Sequence, residues 1–277
     1  MAAEFCTLDV AGAPLQIELA WVGVQDDPAA PLMVFLHEGL GSLAAWRDTP
    51  HQLCTACGWR GLVYSRPGYG GSTPRPHAQD WPLDYLQRQA WEVLPALLHA
   101  LGVQGRYGLF GHSDGGTIAL LHAARHPETH SLIVLAPHIM VEEFGLASIR
   151  EARRQYLEGD LRSRLARYHA DVDSAFWGWN NAWLHPDFGS ALSLGQISLE
   201  LKHIRAPILA IQGLEDPYGT MAQIDGIAAI LPATELLKLK RCGHAPHRDQ
   251  PQHLLEACQS FSARHLFSLL PPQRDLP

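Results

Sequence analysis

GLFGHSDGG, residues 108 to 116, sets a serine among glycines where an apolar run gives way to a small-residue turn. Upstream, YGLFGH (107 to 112) has the continuous apolar character of a buried strand; downstream, DGGTIALLHAARH (114 to 126) carries apolar residues at helical spacing. Strand, sharp turn and helix around GxSxG make a nucleophile elbow. Gly111 and Gly115 remove side chains that would collide where the chain reverses, and the turn delivers the Ser113 hydroxyl to the carboxyl ends of the strands. That edge is where open α/β sheets bind ligands, and the adjoining helix start favours negative charge. A glycine-rich turn around a serine also occurs for purely structural reasons, so the motif needs partners elsewhere in the chain.

Working outward, alternation near 4 to 10 and 15 to 24 around Gly12 and Pro14 predicts an antiparallel hairpin. LMVFLH (32 to 37), GLVYSR (61 to 66), YGLFGH, SLIVLAP (131 to 137), PILAIQG (207 to 213) and ELLKLK (235 to 240) read as strands covered on both faces. Helical spacing falls at 84 to 101, 114 to 126, 219 to 231 and 250 to 268. The alternation predicts an α/β fold, a doubly wound, mostly parallel sheet of about eight strands. Residues 139 to 205 contain no convincing strand, and Leu161, Leu165 and Tyr168 sit at spacings of four and three. They read as a helical lid inserted into a core formed by 1–138 and 206–277. The tail SLLPPQRDLP is expected to fray.

A chain of 277 residues with 47% hydrophobic and 18% charged residues is a folded globular protein, and its net charge of −7 argues against a nucleic-acid or anionic-membrane surface. The start, MAAEFCTLDVAGAP, has no basic segment and reads as a strand rather than a signal peptide; no run approaches the roughly 18 apolar residues of a membrane helix. A soluble, cytoplasmic protein acting on a small molecule is the expectation. Five scattered cysteines make no disulfide framework, and Cys54 and Cys57, a lone CxxC in a helical context, read as packing residues.

A serine hydroxyl needs a base, and that base an acid to orient it. Asp216 follows strand PILAIQG in GLEDPYG and His244 follows strand ELLKLK in CGHAPH, each at the edge that displays Ser113, in the chain order Ser, Asp, His. Their neighbours Glu215 and His247 are the rivals; Pro217 stiffens the turn after Asp216, and Gly243 frees the loop before His244. None of the sixteen histidines forms a convincing metal pair, and His126 with His130 is broken by Pro127. For the oxyanion, one donor is the backbone N–H of Asp114 and the other Gly39, in the loop HEGLGS after LMVFLH. The same loop also reads as a plain turn into a helix capped by Ser42.

At these residues the chain resembles the α/β-hydrolase superfamily along nearly its whole length. GHSDGG looks like the elbow, HEGLGS like the HGxxG oxyanion loop, YSRPGYGGS like DxxGxGxS, GLEDP like the GxxDP acid loop and GHAPHRDQP like the GHxPHxExP histidine loop. It is similar to the lid-bearing group of carboxylesterases, lactonases, carrier-protein methyl ester esterases and carbon–carbon hydrolases. The resemblance implies a serine hydrolase of a small or medium carboxylic ester, with no cofactor and no metal. A lactonase or carbon–carbon hydrolase would use the same triad, and a non-catalytic ligand receptor would keep the fold alone.

Two departures stand out. Glu38 replaces the glycine of HG, and Asp114 stands where Met, Leu or Gln is common. A charge facing the oxyanion would oppose catalysis, so Glu38 is expected to point away, pair with a cation or grip a polar substrate; Asp114 either complements the helix dipole or does likewise. His138, emerging after SLIVLAP, is a second candidate for substrate contact. Trp177, Trp179 and Trp183 are either the lid's own core or an acyl pocket. Arg150, Arg153, Arg154, Arg162, Arg164 and Arg167 form a solvated basic face or lend one clamp for a carboxylate.

Overall fold

Alternation along the apolar runs sorts side chains onto two faces of a sheet. The computed structural model describes residues 2–27 and 29–265; the 268–277 tail lies outside them. Eight strands, β1 (Glu4–Val10), β2 (Ala13–Gly23), β3 (Leu32–Leu36), β4 (Arg60–Tyr64), β5 (Tyr107–His112), β6 (Thr129–Leu135), β7 (Ile208–Gly213) and β8 (Glu235–Leu239), form one sheet in the order β1-β2-β4-β3-β5-β6-β7-β8. β1, β2 and β4 pair antiparallel, and all other neighbours pair parallel. The eight expected strands therefore stand where the apolar runs placed them.

On one face Val34, Leu36, Leu109, Leu132, Val134 and Ala210 pack beneath α2 (Tyr85–Arg88), α3 (Leu94–Ala100), α4 (Asp114–Arg125) and α10 (Ala222–Ile230). On the other, Met33, Phe35, Phe110, Ile133, Leu135 and Ile211 pack beneath α1 (Thr49–Cys57) and α12 (Pro251–His265). Covered on both sides, the central strands have no polar face, which is why they read as continuous apolar runs. Cys54 and Cys57 are buried free thiols of α1 in this second layer. The single helix expected over 84–101 is instead interrupted by a π-helical turn at Gln89–Val93. Pro95, at the start of α3, has no N–H to donate and crowds the carbonyl four residues back, and the wider turn accommodates it.

Between β6 and β7 lie α5 (Glu143–Glu158), α6 (Leu161–Leu165), α7 (Val172–Trp183), α8 (Phe188–Ala191) and α9 (Leu194–Leu201). Asp171 and Ser193 cap α7 and α9 through side-chain oxygens, and Tyr156 of α5 stacks on Phe176 of α7 at 3.6 Å. This segment is pinned to the strand-edge loops. Gly70 N–H donates to His169 Nδ1 at 3.0 Å, His169 Nε2–H donates to the Leu40 carbonyl at 3.0 Å, and Arg75 N–H donates to Ser174 Oγ at 2.7 Å.

Phe110 sits fully buried on β5, with its ring 5.0 Å from Phe35 and 5.9 Å from Trp46. Truncation there opens a cavity directly behind the serine turn. Phe110→Ala is expected to cost roughly 3–5 kcal/mol, read as a lower urea midpoint at unchanged slope.

Candidate active site

The turn between β5 and α4 has almost no room. A Cβ on Gly115 would overlap the carbonyl oxygens of Leu36 and His37 at the end of β3, so that position excludes side chains. Ser113 takes up the reversal with φ 54° and ψ −118°, a region costing about 1–3 kcal/mol for a residue with a side chain. Its N–H is tied to the Leu135 carbonyl at 2.8 Å. The strained backbone is held by sheet hydrogen bonding on one side and a helix on the other.

Asp216 follows β7 and His244 follows β8. The Nδ1–H of His244 donates to the Asp216 carboxylate, 2.9 Å from each oxygen, which leaves Nε2 as the basic nitrogen. Asp216 also accepts from Tyr218 N–H at 2.9 Å and from Gln212 Nε2–H at 3.2 Å. Burial opposes ionisation of Asp216, yet hydrogen bonding and charge from His244, and the Tyr218 N–H, keep its pKa below the usual aspartate value. Glu215 is exposed beside it. His247 is buried on the far side of His112, with no partner for either ring nitrogen among the described residues. The ring of His244 lies 4.7 Å from Tyr218 and 5.9 Å from His138.

Ser113 Oγ lies 3.4 Å from His138 Nε2 and makes no hydrogen bond to His244 among the described residues. His138, and not His244, is therefore the imidazole in contact with the hydroxyl. Burial, and then His244, drive the pKa of His138 down to about 3, so this ring is neutral at pH 7. Its backbone is locked by Thr117, whose hydroxyl donates to the His138 carbonyl at 2.7 Å.

The HEGLGS loop brings Gly39 beneath the indole of Trp179, where a Cβ would collide with Nε1. Gly39 N–H has no acceptor among the described residues, and Asp114, first in α4, has none within its helix. Glu38 turns its carboxylate toward His112 Nδ1 at 2.8 Å, with Arg248 3.8 Å away. The carboxylate of Asp114 is fully buried and already engaged, accepting from Tyr85 Oη at 2.7 Å and Trp183 Nε1 at 3.2 Å, with Arg66 at 3.7 Å. Burial raises its pKa, while Arg66 and the two donors oppose the rise.

Of the three tryptophans, Trp179 covers Gly39 and Trp183 stands 5.0 Å from His138, whereas Trp177 packs inside the segment against Tyr156 and Phe176. Arg150, Arg154, Arg162 and Arg164 pair with neighbouring carboxylates, and Arg153 with Asn180 and Asn181. These five are a structural network rather than free clamps. Sequence reasoning missed Arg66, fully buried with Nη2–H donating to the Glu38 carbonyl at 2.8 Å, and it missed His112. The only signal was a charged residue at the end of each of two apolar runs.

Among the described residues, no group of three or more His, Cys, Asp or Glu is placed to hold a metal, and no helix is long and apolar enough to cross a membrane.

The buried histidines set an acid limit on stability. Burial, and then His112, lower the pKa of His247 to about 3, as burial and His244 do for His138. A histidine in the unfolded chain titrates near ~6.5, so below that pH the unfolded state binds the extra proton. Each ring then removes up to about 1.4 kcal/mol of stability per pH unit, until its folded pKa is reached. His247→Phe keeps an aromatic ring, slightly larger than the imidazole, and removes two unpartnered nitrogens. It is expected to be as stable as the parent at pH 7, or about 1 kcal/mol more so, and to lose less between pH 6.5 and 4.5, measured by urea unfolding at each pH.

A family model described as the alpha/beta hydrolase fold matches residues 31–187. The pimeloyl-[acyl-carrier protein] methyl ester esterase of Aeromonas salmonicida is 29% identical over 262 residues, covering 87% of this chain and 98% of that protein. The mouse sn-1-specific diacylglycerol lipase ABHD11 is 23% identical, over 92% of this chain and 87% of its own. Among solved structures, one from work on carboxylesterases of the archaeon Nitrososphaera gargenis superposes with a TM-score of 0.76 at 18% identity, covering 95% of this chain and all (100%) of the other. The enol-lactonase of Burkholderia xenovorans does so with 0.70 at 18% identity, over 93% and 99%. The match over more than half of the sequence, with the eight-stranded sheet, shows that this chain belongs to the α/β-hydrolase fold family.

Proposed function

We propose that the protein hydrolyses a small or medium carboxylic ester through Ser113, His244 and Asp216. The observation that carries this reading is the Asp216–His244 pair, which presents a basic Nε2 at the same sheet edge as a serine held in a strained turn. The Ser113 hydroxyl proton passes to His244 Nε2 as Oγ bonds to the ester carbonyl carbon, and the π electrons move onto the carbonyl oxygen. The N–H groups of Gly39 and Asp114 receive that oxyanion. Collapse breaks the bond to the alkoxy oxygen, which takes the proton from His244. Water, deprotonated by the same imidazole, then releases the acid and restores Ser113. Asp216 stays ionised throughout and stabilises the imidazolium.

The missing Ser113–His244 hydrogen bond is compatible with this sequence, since such contacts in an unliganded site tighten only when substrate is bound. Residues 139–205 act as the lid of a core made by 1–138 and 206–277. Trp179 and Trp183 give the acyl chamber aromatic walls over Gly39 and His138. The relatives named as esterases and lipases support ester hydrolysis, and the solved neighbours support the fold on which it would run.

A fluorophosphonate probe should label the native protein and not Ser113→Ala, while p-nitrophenyl acetate turnover falls to background in the same variant. Labelling that survives in Ser113→Ala, or a native protein that turns over neither esters nor lactones, would sink the reading. Gly39→Ala, which drives a methyl into Trp179 and displaces one oxyanion donor, should lower kcat by roughly 10²–10³ with a smaller change in KM.

A further inference from the structure

We infer that Glu38 and His112 form a carboxylate–imidazolium pair that fixes the histidine loop and the oxyanion loop to one another, a positioning role that rests on the triad reading above. His112 is the last residue of β5, directly before the proposed nucleophile, and its side chain is 2% exposed. Nδ1 lies 2.8 Å from Glu38 Oε2, and Nε2 lies 2.7 Å from the main-chain carbonyl oxygen of His244.

The protonation state follows from what each partner can do. A peptide carbonyl only accepts, so Nε2 carries a hydrogen. A neutral imidazole has one N–H, and Nδ1 would then turn a lone pair toward a carboxylate oxygen at hydrogen-bonding distance. That contact is repulsive unless Glu38 is itself protonated. Burial does push toward protonation of Glu38, but the facing His112 first, and then Arg248, hold its carboxyl well below the usual glutamate value. Arg66 adds a guanidinium 2.8 Å from the Glu38 carbonyl. An ionised carboxylate facing an imidazolium with both nitrogens donating satisfies every atom in the chain of contacts.

The groups facing this imidazole come from several elements. Glu38 approaches from the loop after β3, and His244 and His247 from the segment after β8; Arg248 lies against Glu38, and His138, after β6, stands behind His244. Tyr218, after β7, stands against His244 and within the field of Glu38. Trp46 closes the apolar side at 6.2 Å. One ring therefore joins three loops: it precedes Ser113 in the chain, carries Glu38, the residue before Gly39, and grips the backbone of His244. The pair is neutral in sum, so it can hold these loops in register without imposing a net charge on the developing oxyanion.

The experiment is 15N NMR of histidine-labelled full-length protein at pH 7, with kinetics on two variants. In the parent, one imidazole with both nitrogens protonated should be present and should disappear in Glu38→Gln, whose amide can instead donate to the Nδ1 of a neutral ring. The absence of any doubly protonated imidazole coupled to residue 38 in the parent would overturn the pair, and needs no variant to fold. With p-nitrophenyl acetate, and enzyme counted by fluorophosphonate titration, Glu38→Ala should lower kcat about tenfold or more with KM within about twofold. Glu38→Gln, which keeps the bridge of hydrogen bonds, should recover most of that loss. A purely structural role would lower the thermal midpoint and leave kcat per titrated site unchanged, and a direct substrate contact would move KM; either result refutes the positioning role. If Ser113→Ala keeps its turnover, the triad reading fails by itself while the NMR signature still reports on the pair.

Discussion

Everything at this edge of the sheet depends on one steric constraint: the turn after β5 must pass so close to the end of β3 that a side chain at residue 115 has nowhere to go. Strands β3 and β5 are neighbours in parallel register, with Leu36 opposite Gly111, so the start of α4 rises directly against the carbonyls of Leu36 and His37. Glycine at that point lets the helix begin immediately, and Ser113 absorbs the remaining curvature at positive φ. The cost of about 1–3 kcal/mol is tolerable only because the surrounding core over-determines the geometry. Phe110, one residue before Gly111, is wedged between Phe35 and Trp46 on the opposite face.

The same edge concentrates titratable groups in a buried setting, and the structure separates their charge states by environment. Asp216 keeps its charge because three donors meet it, whereas His138 and His247 lose theirs because burial meets no carboxylate of their own. Two imidazoles near the serine thereby acquire different characters. His244 is oriented and polarised by Asp216; His138, held by Thr117 through its backbone, is a neutral polar wall.

The sheet was legible because parallel strands buried on both faces write themselves as apolar runs, and LMVFLH, YGLFGH, SLIVLAP and PILAIQG each became one strand. The elbow and the Asp216 and His244 loops were legible for a related reason: each follows such a run directly, so sequence position fixes the edge on which it emerges. The π-helical turn at 89–93 was not, since a proline inside a helical pattern signals a disturbance without saying whether the helix ends or widens. Glu38 and Asp114 were visible as anomalies, but their partners were not. His112, Arg66, Tyr85 and Trp183 lie 74, 48, 29 and 69 positions away from the carboxylates they meet, counting Glu38 to His112 and Asp114 to the other three. No periodicity carries information across such separations, and only the closing of the sheet brings them together.

Asp114 shows how the helices of 139–205 and the turn around Ser113 are bound into one unit. Its backbone starts α4 beside Ser113, while its side chain, wholly shielded from water, takes a hydrogen bond from Trp183 at the end of α7. If α7 lifted as a rigid body, it would strip that donor from a buried carboxylate and leave Tyr85 and the more distant Arg66 to satisfy it. A buried acceptor left short of a partner costs about 1–3 kcal/mol, and more when charged. The segment around Trp179 and Trp183 is therefore a fixed roof over Gly39 and His138. The aromatic side chains nearest Gly39 and His138 are thus held in place through the same buried carboxylate that starts α4 beside Ser113.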